Sequence, residues 1–452
     1  MHAVAAGARA ASLQIRASSL AARNSALAAL AALLRERAGA LSDANASDLS
    51  AARVAGVDGA MAKRLVFDAG KIASLLAGLD DLLRAADPLG EVSLSRELAP
   101  GLDLRRVSCP LGVLAVIFEA RPEAVIQIAA LAIKSGNALI LKGGKEAAST
   151  NAALGALVRD ALASAALPAD AVQLVESREE VSALLAHDTL IDLVIPRGSA
   201  ALVRAVKAAT RIPVLGHADG LCHVYVAASA DADVAARVVT DSKTSYPAAC
   251  NSAETLLLDA ETPPAVVSRV LGALLAAGVT LHVDADCAFA ARAALAELGD
   301  AVVGTGAVVD ADATTWGTEW LSLDMGVATV RGVGAAINWV NTHGSHHTDA
   351  IVAARGDPAL DEFRSGVDSA SVFCNASTRF ADGFRFGFGA EVGISTARLH
   401  ARGPVGVEGL LTYRYELVGD GHVVAQFAEG DAPVVIAGQT LQKSAYTHVT
   451  HK

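Results

Sequence analysis

The sequence predicts an α/β protein with two Rossmann-like parallel-sheet α/β domains and a small β element near the end. Three observations predict it. Short continuous apolar runs alternate with helical stretches of about 10–20 residues between Leu111 and Leu215, the pattern of βαβ units. The alternation restarts at His223 and continues to about Ala370. From Gly403 the text changes to strand-type residues with glycine punctuation. The 452 residues suffice for two or three domains with real cores, and no internal sequence repeat divides them.

The elements follow in order. Leu20, Leu27, Leu30 and Leu34 recur at helical spacing with Arg16, Arg23 and Arg37 between them, so the amino-terminal segment reads as an amphipathic helix. Its basic, acidic-poor start also fits a short organellar transit sequence, the minority reading. Helical text runs to about residue 90, punctuated by Asp43–Asp48 and Asp87-Pro88. Leu111–Phe118 is a strand buried on both faces. Pro122 opens a helix that runs to Lys134 and stops at Ser135-Gly136-Asn137. Ala138–Lys142 is a strand, then a helix to about Ser164, strand Val172–Val175, another helix, strand Leu190–Ile195, helix Ala200–Ala209 and strand Pro213–Leu215. In the second half, helix Ala232–Ser242 precedes strand Glu254–Leu258, and Thr262-Pro263-Pro264 opens the next helix. Leu410–Val418 before Gly419-Asp420-Gly421 reads as one arm of a hairpin, suited to pairing with a partner subunit.

Composition excludes several classes. Lys plus Arg number 37 against 48 Asp plus Glu, a net charge of −11, which argues against a nucleic-acid protein. Hydrophobic residues make up 53%, so the chain is not disordered. There is no uninterrupted apolar run of about 18 residues for a membrane helix. The five cysteines, Cys109, Cys222, Cys250, Cys287 and Cys374, are scattered and form no CxxC pair. That fits a reducing, cytoplasmic setting with no disulfide or zinc framework.

Two places carry chemistry. At Ile195-Pro196-Arg197-Gly198-Ser199 a buried strand stops and a helix begins, which aims backbone N–H groups at an anion such as a pyrophosphate. A routine turn capped by Ser199 explains the same letters. No GxGxxG follows a strand, and Gly143-Gly144-Lys145-Glu146 is no P-loop. Cys250 lies among small residues in Tyr246-Pro247-Ala248-Ala249-Cys250-Asn251, open to a substrate carbon, with Asn251 and backbone amides placed to hold an oxyanion. The other four cysteines read as packed small hydrophobes.

These residues are not alone. The stretches Phe118–Pro122, Leu141–Glu146, Ile195–Gly198, Asp219–Tyr225, Cys250-Asn251 with Glu254–Leu257, His343–Asp349, Asn375–Phe380, Phe388–Glu391 and Leu399–Pro404 resemble, in order, the gamma-glutamyl phosphate reductase family of the aldehyde dehydrogenase superfamily. The resemblance implies an aldehyde dehydrogenase-like fold. Residues 1–226 are then an NADP-binding domain, with a β-hairpin near 96–110 that contributes to oligomerisation. Residues 227–395 form the catalytic domain, and 396–452 return to the cofactor domain with oligomerisation strands and a tail. It implies NADPH-dependent reduction of L-glutamyl 5-phosphate to L-glutamate 5-semialdehyde and phosphate through a thioester, the second step of proline biosynthesis. It implies a homo-oligomer, coupling to glutamate 5-kinase, no metal, no nucleic acid and no membrane.

Carried over by position, the resemblance makes Cys250 the nucleophile and sets Lys142 on the adenosine ribose. It puts Gly198 and Ser199 near the pyrophosphate and Glu319 on the nicotinamide-side ribose. Two departures from the wider superfamily are informative. Hydrolytic relatives carry a glutamate base in the stretch matching Gly216–Gly220, where His217 stands here. NAD-selective relatives carry an acidic residue three places after the ribose lysine, where Lys145 stands here and favours a 2′-phosphate. Arg121, Lys134, Arg197 and Arg379 are candidates to grip the anionic substrate, with His217 beside them. His343, His346 and His347 are expected in a loop near cofactor or substrate rather than on a metal. Asn45 and Asn375 match glycosylation sequons by chance. A hydrolytic aldehyde dehydrogenase and a silent binding protein are the competing readings.

Overall fold

A computed structural model describes residues 1–57, 59–217, 219–299, 306–430 and 432–451. The chain forms two compact units. The first comprises Met1–Val194, Thr210–Pro213 and Val407–Lys452, and the second Ile195–Ala209 and Val214–Gly406.

In the first unit, helices His2–Arg16, Leu20–Glu36, Ala38–Val54 and Ala69–Arg84 account for the helical text at the start. Leu27, Leu30 and Leu34 are fully buried, as their spacing predicts, and Ala5, Ala8, Ala11 and Ile15 bury one face of the first helix. Residues 2–16 are therefore an ordinary packed helix. A four-stranded sheet has the order Val172–Val175, Ala138–Lys142, Val113–Phe118, Leu193–Arg197. The first three strands are parallel. Every residue of Val113–Phe118 is buried, with no alternation, as a strand covered on both faces requires. Helix Ala124–Lys134 is buried nearly all round.

The end of that helix corrects one expectation. Lys134 is fully buried, its Nζ donating to the Ala85 carbonyl at 2.7 Å and to Asn24 Oδ1 at 3.1 Å. Arg23, also buried, donates to the Lys134 carbonyl at 2.6 Å and pairs with Asp87 at 2.8 Å. Lys134 is thus a structural pin, held by carbonyl oxygens away from any substrate. Asn45, one of the sequon residues, is buried and bonded to the Leu65 carbonyl and the Phe67 N–H.

An antiparallel sheet orders Leu411–Val418, Leu102–Pro110, Val92–Ala99 and Val449–His451. Its central hairpin turns through Gly101, whose φ of +75° suits glycine. Leu411–Val418 runs along Leu102–Pro110, from Leu411 opposite Pro110 to Val418 opposite Asp103. The hairpin expected at Gly419–Gly421 does not form. After Gly421 the chain enters the short turn Val424–Phe427, which leaves no second arm, and a distant strand supplies the partner.

The second unit holds a seven-stranded parallel sheet. Its order is Val308–Asp310, Thr280–Val283, Asp324–Val330, Ala253–Asp259, Cys222–Val226, Thr348–Val352, Ser371–Cys374. Successive residues point to opposite faces. Val224, Val226, Leu256 and Leu258 join one core with helices Ala232–Thr244 and Pro264–Ala276. Tyr225, Leu257 and Ile351 join the other, with Phe363 from helix Pro358–Gly366 and Ala336 and Val340 from Gly332–His343.

Cys222–Val226 is an interior strand of this sheet and belongs with it to the second unit. Gly403–Val405 pairs antiparallel with Gly393–Ser395, and both lie in the second unit. Pro213–Leu215 shrinks from a strand to a single β-bridge at Val214. Proline has no N–H for a ladder, and its carbonyl accepts a single bond, from Val194 N–H at 2.9 Å. Among the described residues no single helix is long and apolar enough to cross a membrane.

Candidate active site

Three neighbouring central strands of the second unit deliver the site, each from the loop before its amino end. His217 and Gly220 precede Cys222–Val226, Cys250 precedes Ala253–Asp259, and His347 precedes Thr348–Val352. The sulfur of Cys250 and one ring nitrogen from each of His217 and His347 lie within 4.8 Å of one another. The two imidazoles meet edge to face at 4.9 Å.

Each histidine is oriented by its Nδ1. That of His217 is 3.0 Å from the Ile394 carbonyl, which only accepts, so Nδ1 carries the proton and Nε2 the lone pair. That of His347 is 2.8 Å from Thr348 Oγ1. His347 is 1% exposed, and its Nε2 is buried without a hydrogen-bond partner. It follows His346, a non-glycine residue at φ +60° held by its own Nδ1 against the Asp368 carbonyl at 2.7 Å. Such left-handed residues concentrate at functional sites.

Cys250 sits in a tight turn closed by Ala249 N–H to the Tyr246 carbonyl (3.1 Å) and Ser252 N–H to the Ala249 carbonyl (2.9 Å). Gly220 packs directly on it. A Cβ there would stand 2.1 Å from the Cys250 carbonyl oxygen and 2.8 Å from its Cα, so only glycine fits. The Gly220 N–H donates to Glu319 Oε1 at 2.9 Å, and Cys222 Sγ donates to the Cys250 carbonyl at 3.3 Å. Burial raises the Glu319 carboxyl above its ordinary range.

The cysteines separate by environment. Cys250 is half-buried. Burial pushes Cys287 up to about 12, raises Cys222 well above an ordinary thiol, and raises Cys374, so those three stay protonated at neutral pH. Asn251 is buried and donates through Nδ2 to the Ala381 carbonyl at 2.8 Å, which leaves one amide hydrogen. Arg379 is buried, lies 6.0 Å from the Tyr246 ring, and interacts electrostatically with Cys250. Desolvation, chiefly, lowers its pKa. Beneath the turn, Lys243 Nζ and Glu254 Oε2 form a dry ion pair at 2.6 Å. Burial pushes the Glu254 carboxyl up to about 7 against the pull of Lys243.

Gly198 and Ser199 are exposed between strand Leu193–Arg197 and helix Ala200–Ala209, and Leu202 N–H reaches Ser199 Oγ at 3.4 Å. In the first unit, Lys142 ends strand Ala138–Lys142 and Lys145 is exposed in the turn that follows. Gly143 and Gly144 between them are closely packed: a Cβ would meet Asn151 Nδ2 at 2.2 Å and Glu146 Oε1 at 1.9 Å. Arg121 is exposed just before helix Ala124–Lys134. Sequence reading missed the convergence of His347 on Cys250 and the Lys243–Glu254 pair. The signal available was position: His347 directly precedes the apolar strand Thr348–Val352, as Cys250 closely precedes Ala253–Asp259.

Comparison with known proteins agrees with this arrangement. A sequence profile of the aldehyde dehydrogenase family matches residues 1–294. The chain belongs to the aldehyde dehydrogenase family. It is 50% identical over 401 residues to a gamma-glutamyl phosphate reductase of Parasynechococcus marenigrum, covering 89% of this chain and 88% of that one. It is 47% identical over 392 residues to a probable gamma-glutamyl phosphate reductase of Schizosaccharomyces pombe, covering 86% and 85%. The crystal structure of a gamma-glutamyl phosphate reductase from Thermotoga maritima superposes with a TM-score of 0.86 at 33% identity, over 93% of this chain and 98% of that one. The family and fold expected from the sequence are both borne out, and with them an oxidoreductase.

Proposed function

We propose that this family member reduces L-glutamyl 5-phosphate to L-glutamate 5-semialdehyde with NADPH, releasing phosphate, the second step of proline biosynthesis. The observation that carries the reading is a half-buried thiol clustered with two imidazoles, with no carboxylate among the described residues joining that cluster of three. A carboxylate base there would activate water against a thioester. Identity near one half to reductases of that name supports the substrate.

An imidazole of the cluster takes the Cys250 proton, and the thiolate attacks the acyl carbon. The carbon–oxygen bond to phosphate breaks, phosphate departs with the electron pair, and the thioester remains on Cys250. Asn251 and neighbouring backbone N–H groups hold the developing oxyanion. NADPH, when bound, supplies the hydride to the thioester carbon. The oxyanion then collapses, the carbon–sulfur bond breaks, and the aldehyde leaves the thiolate behind. Arg379, His217 and Arg121 are the candidates that grip substrate, Arg379 through its charge beside the sulfur.

The donor set fits the dinucleotide. Exposed Gly198 and Ser199 at the start of a ten-residue helix suit a pyrophosphate. Lys142 at the carboxyl end of a parallel strand suits the adenosine ribose, and the exposed Lys145 suits its 2′-phosphate. Lys142 and Lys145 then give the first unit its part in holding NADP, and the second unit carries the catalytic Cys250. The protein works in the cytoplasm as a homo-oligomer, assembled through the antiparallel sheet that exposes Tyr413, Tyr415 and Leu417. A glutamate 5-kinase supplies its substrate.

The test runs the reaction backwards, oxidising glutamate semialdehyde with NADP. The proposal predicts that sustained turnover, beyond a single burst per active site, depends strictly on phosphate. Phosphate-independent formation of glutamate would identify a hydrolytic dehydrogenase, and no activity at all would remove the enzymatic reading.

A further inference from the structure

The cluster around Cys250 presents donors that reduction of an acyl phosphate does not require in that combination: one thiol and two imidazoles. We propose that His217, Cys250 and His347 together bind Zn²⁺ reversibly, and that the ion switches the nucleophile off.

Three features carry this. The first is spacing. A tetrahedral zinc with bonds of about 2.0–2.3 Å sets its donors about 3.3–3.6 Å apart. The three donor atoms here lie within 4.8 Å of one another, so closure needs movement of about 1 Å, within side-chain adjustment.

The second is the hydrogen bonding behind the rings. The Ile394 carbonyl holds the proton of His217 on Nδ1 and leaves Nε2 as a lone-pair donor. His347 Nδ1 lies 2.8 Å from Thr348 Oγ1, a hydroxyl that accepts from Nδ1 in the tautomer that leaves Nε2 as a lone-pair donor. Metal-binding histidines are oriented by such partners on the far nitrogen, which fix the tautomer and raise ligand basicity.

The third is an orphan. His347 Nε2 is fully buried with no partner. An unmet buried polar atom costs about 1–3 kcal/mol, and a metal bond removes that cost. One thiolate, two imidazoles and a water complete an open four-coordinate set that selects zinc over hard cations. Charges on the surrounding elements divide: Arg379 opposes a cation, and Glu319, which interacts with His217, favours one. The half-buried Cys250 leaves a route in.

Zinc on the thiolate draws off the negative charge with which the sulfur attacks the acyl carbon, so bound metal suppresses acylation. Binding itself needs only the three donors; the inhibition rests on the reading of Cys250 as nucleophile.

The test titrates the reduced full-length protein with Co²⁺ as a spectroscopic probe and Zn²⁺ as competitor. The proposal predicts one Co²⁺ per chain with a sulfur-to-cobalt charge-transfer band that Zn²⁺ abolishes. Cys250→Ser removes the band, and His217→Ala and His347→Gln each weaken binding at least about 10-fold. Circular dichroism checks that each variant is folded, and Cys250→Ser, nearly isosteric, decides the matter if His347→Gln is not. No band, or a band that survives in Cys250→Ser, overturns the site. Inhibition should follow the same titration and reverse with a chelator. A Cys250-dependent band without inhibition keeps the metal site and overturns the nucleophile instead.

Discussion

Gly220→Ala tests how the active-site turn is built. The added Cβ would stand 2.1 Å from the Cys250 carbonyl oxygen, and such a contact does not fall below about 3.0 Å. The obstruction is backbone, which has no rotamer to yield. The turn at Cys250, or the strand entry at Gly220 with its 2.9 Å bond to Glu319, must therefore move by about 1 Å. A misplacement of that size costs about 100-fold in rate, or about 2.7 kcal/mol of transition-state stabilisation. The assay is kcat for phosphate-dependent semialdehyde oxidation, with NADP binding and thermal unfolding measured alongside. The expected result is a folded protein that binds NADP normally and turns over about 100-fold more slowly. A folded variant with kcat within about twofold of the parent would refute the close packing of Gly220 on Cys250.

Other outcomes follow from the same geometry. Lys145→Glu should raise the KM for NADPH at least about 10-fold and leave that for NADH little changed, since the new carboxylate repels only the 2′-phosphate; equal changes would contradict the assignment. Cys250→Ala should abolish turnover and leave NADPH binding, followed by fluorescence, intact. Lys243→Met strands Glu254 in a dry site and should destabilise the second unit by about 3–5 kcal/mol at neutral pH, read by chemical denaturation. The sign with pH is fixed by Glu254, whose pKa of about 7 exceeds the ordinary 4.5. Folding favours its protonated form, so its stabilising contribution is full below pH 4.5 and is lost as pH rises through 7. The Lys243→Met penalty should shrink accordingly in acid, and a penalty that grows there would contradict this.

Much of the fold was legible because punctuation is local. Ala138–Lys142 and Val172–Val175 match the observed strands end to end, and Ala200–Ala209 the observed helix; the first lies between Asn137 and Gly143 and the last between Ser199 and Thr210. Sheet membership was not legible, because it depends on partners distant in sequence. Cys222–Val226 belongs to the second unit through its pairing with Ala253–Asp259 and Thr348–Val352, which no local period reveals. The same holds for Leu411–Val418, whose glycine-rich follower looked like a turn while its true partner lay at Leu102–Pro110. In the site, Cys250 stood out through its small neighbours. His347 did not, because only the parallel order of three central strands brings its ring to the sulfur. Lys134 misled because a lysine at a helix end reads as solvent-facing, whereas here it closes a buried set of carbonyls.

The central claim is a covalent bond between the sulfur of Cys250 and the glutamyl carbonyl. Enzyme mixed with glutamate semialdehyde and NADP in the absence of phosphate, quenched in acid and digested, puts it to mass spectrometry. The account predicts one glutamyl adduct per chain on the peptide containing Cys250, formed together with a stoichiometric burst of NADPH and discharged by added phosphate. NADPH formation with no adduct, or with the adduct on another residue, would contradict it.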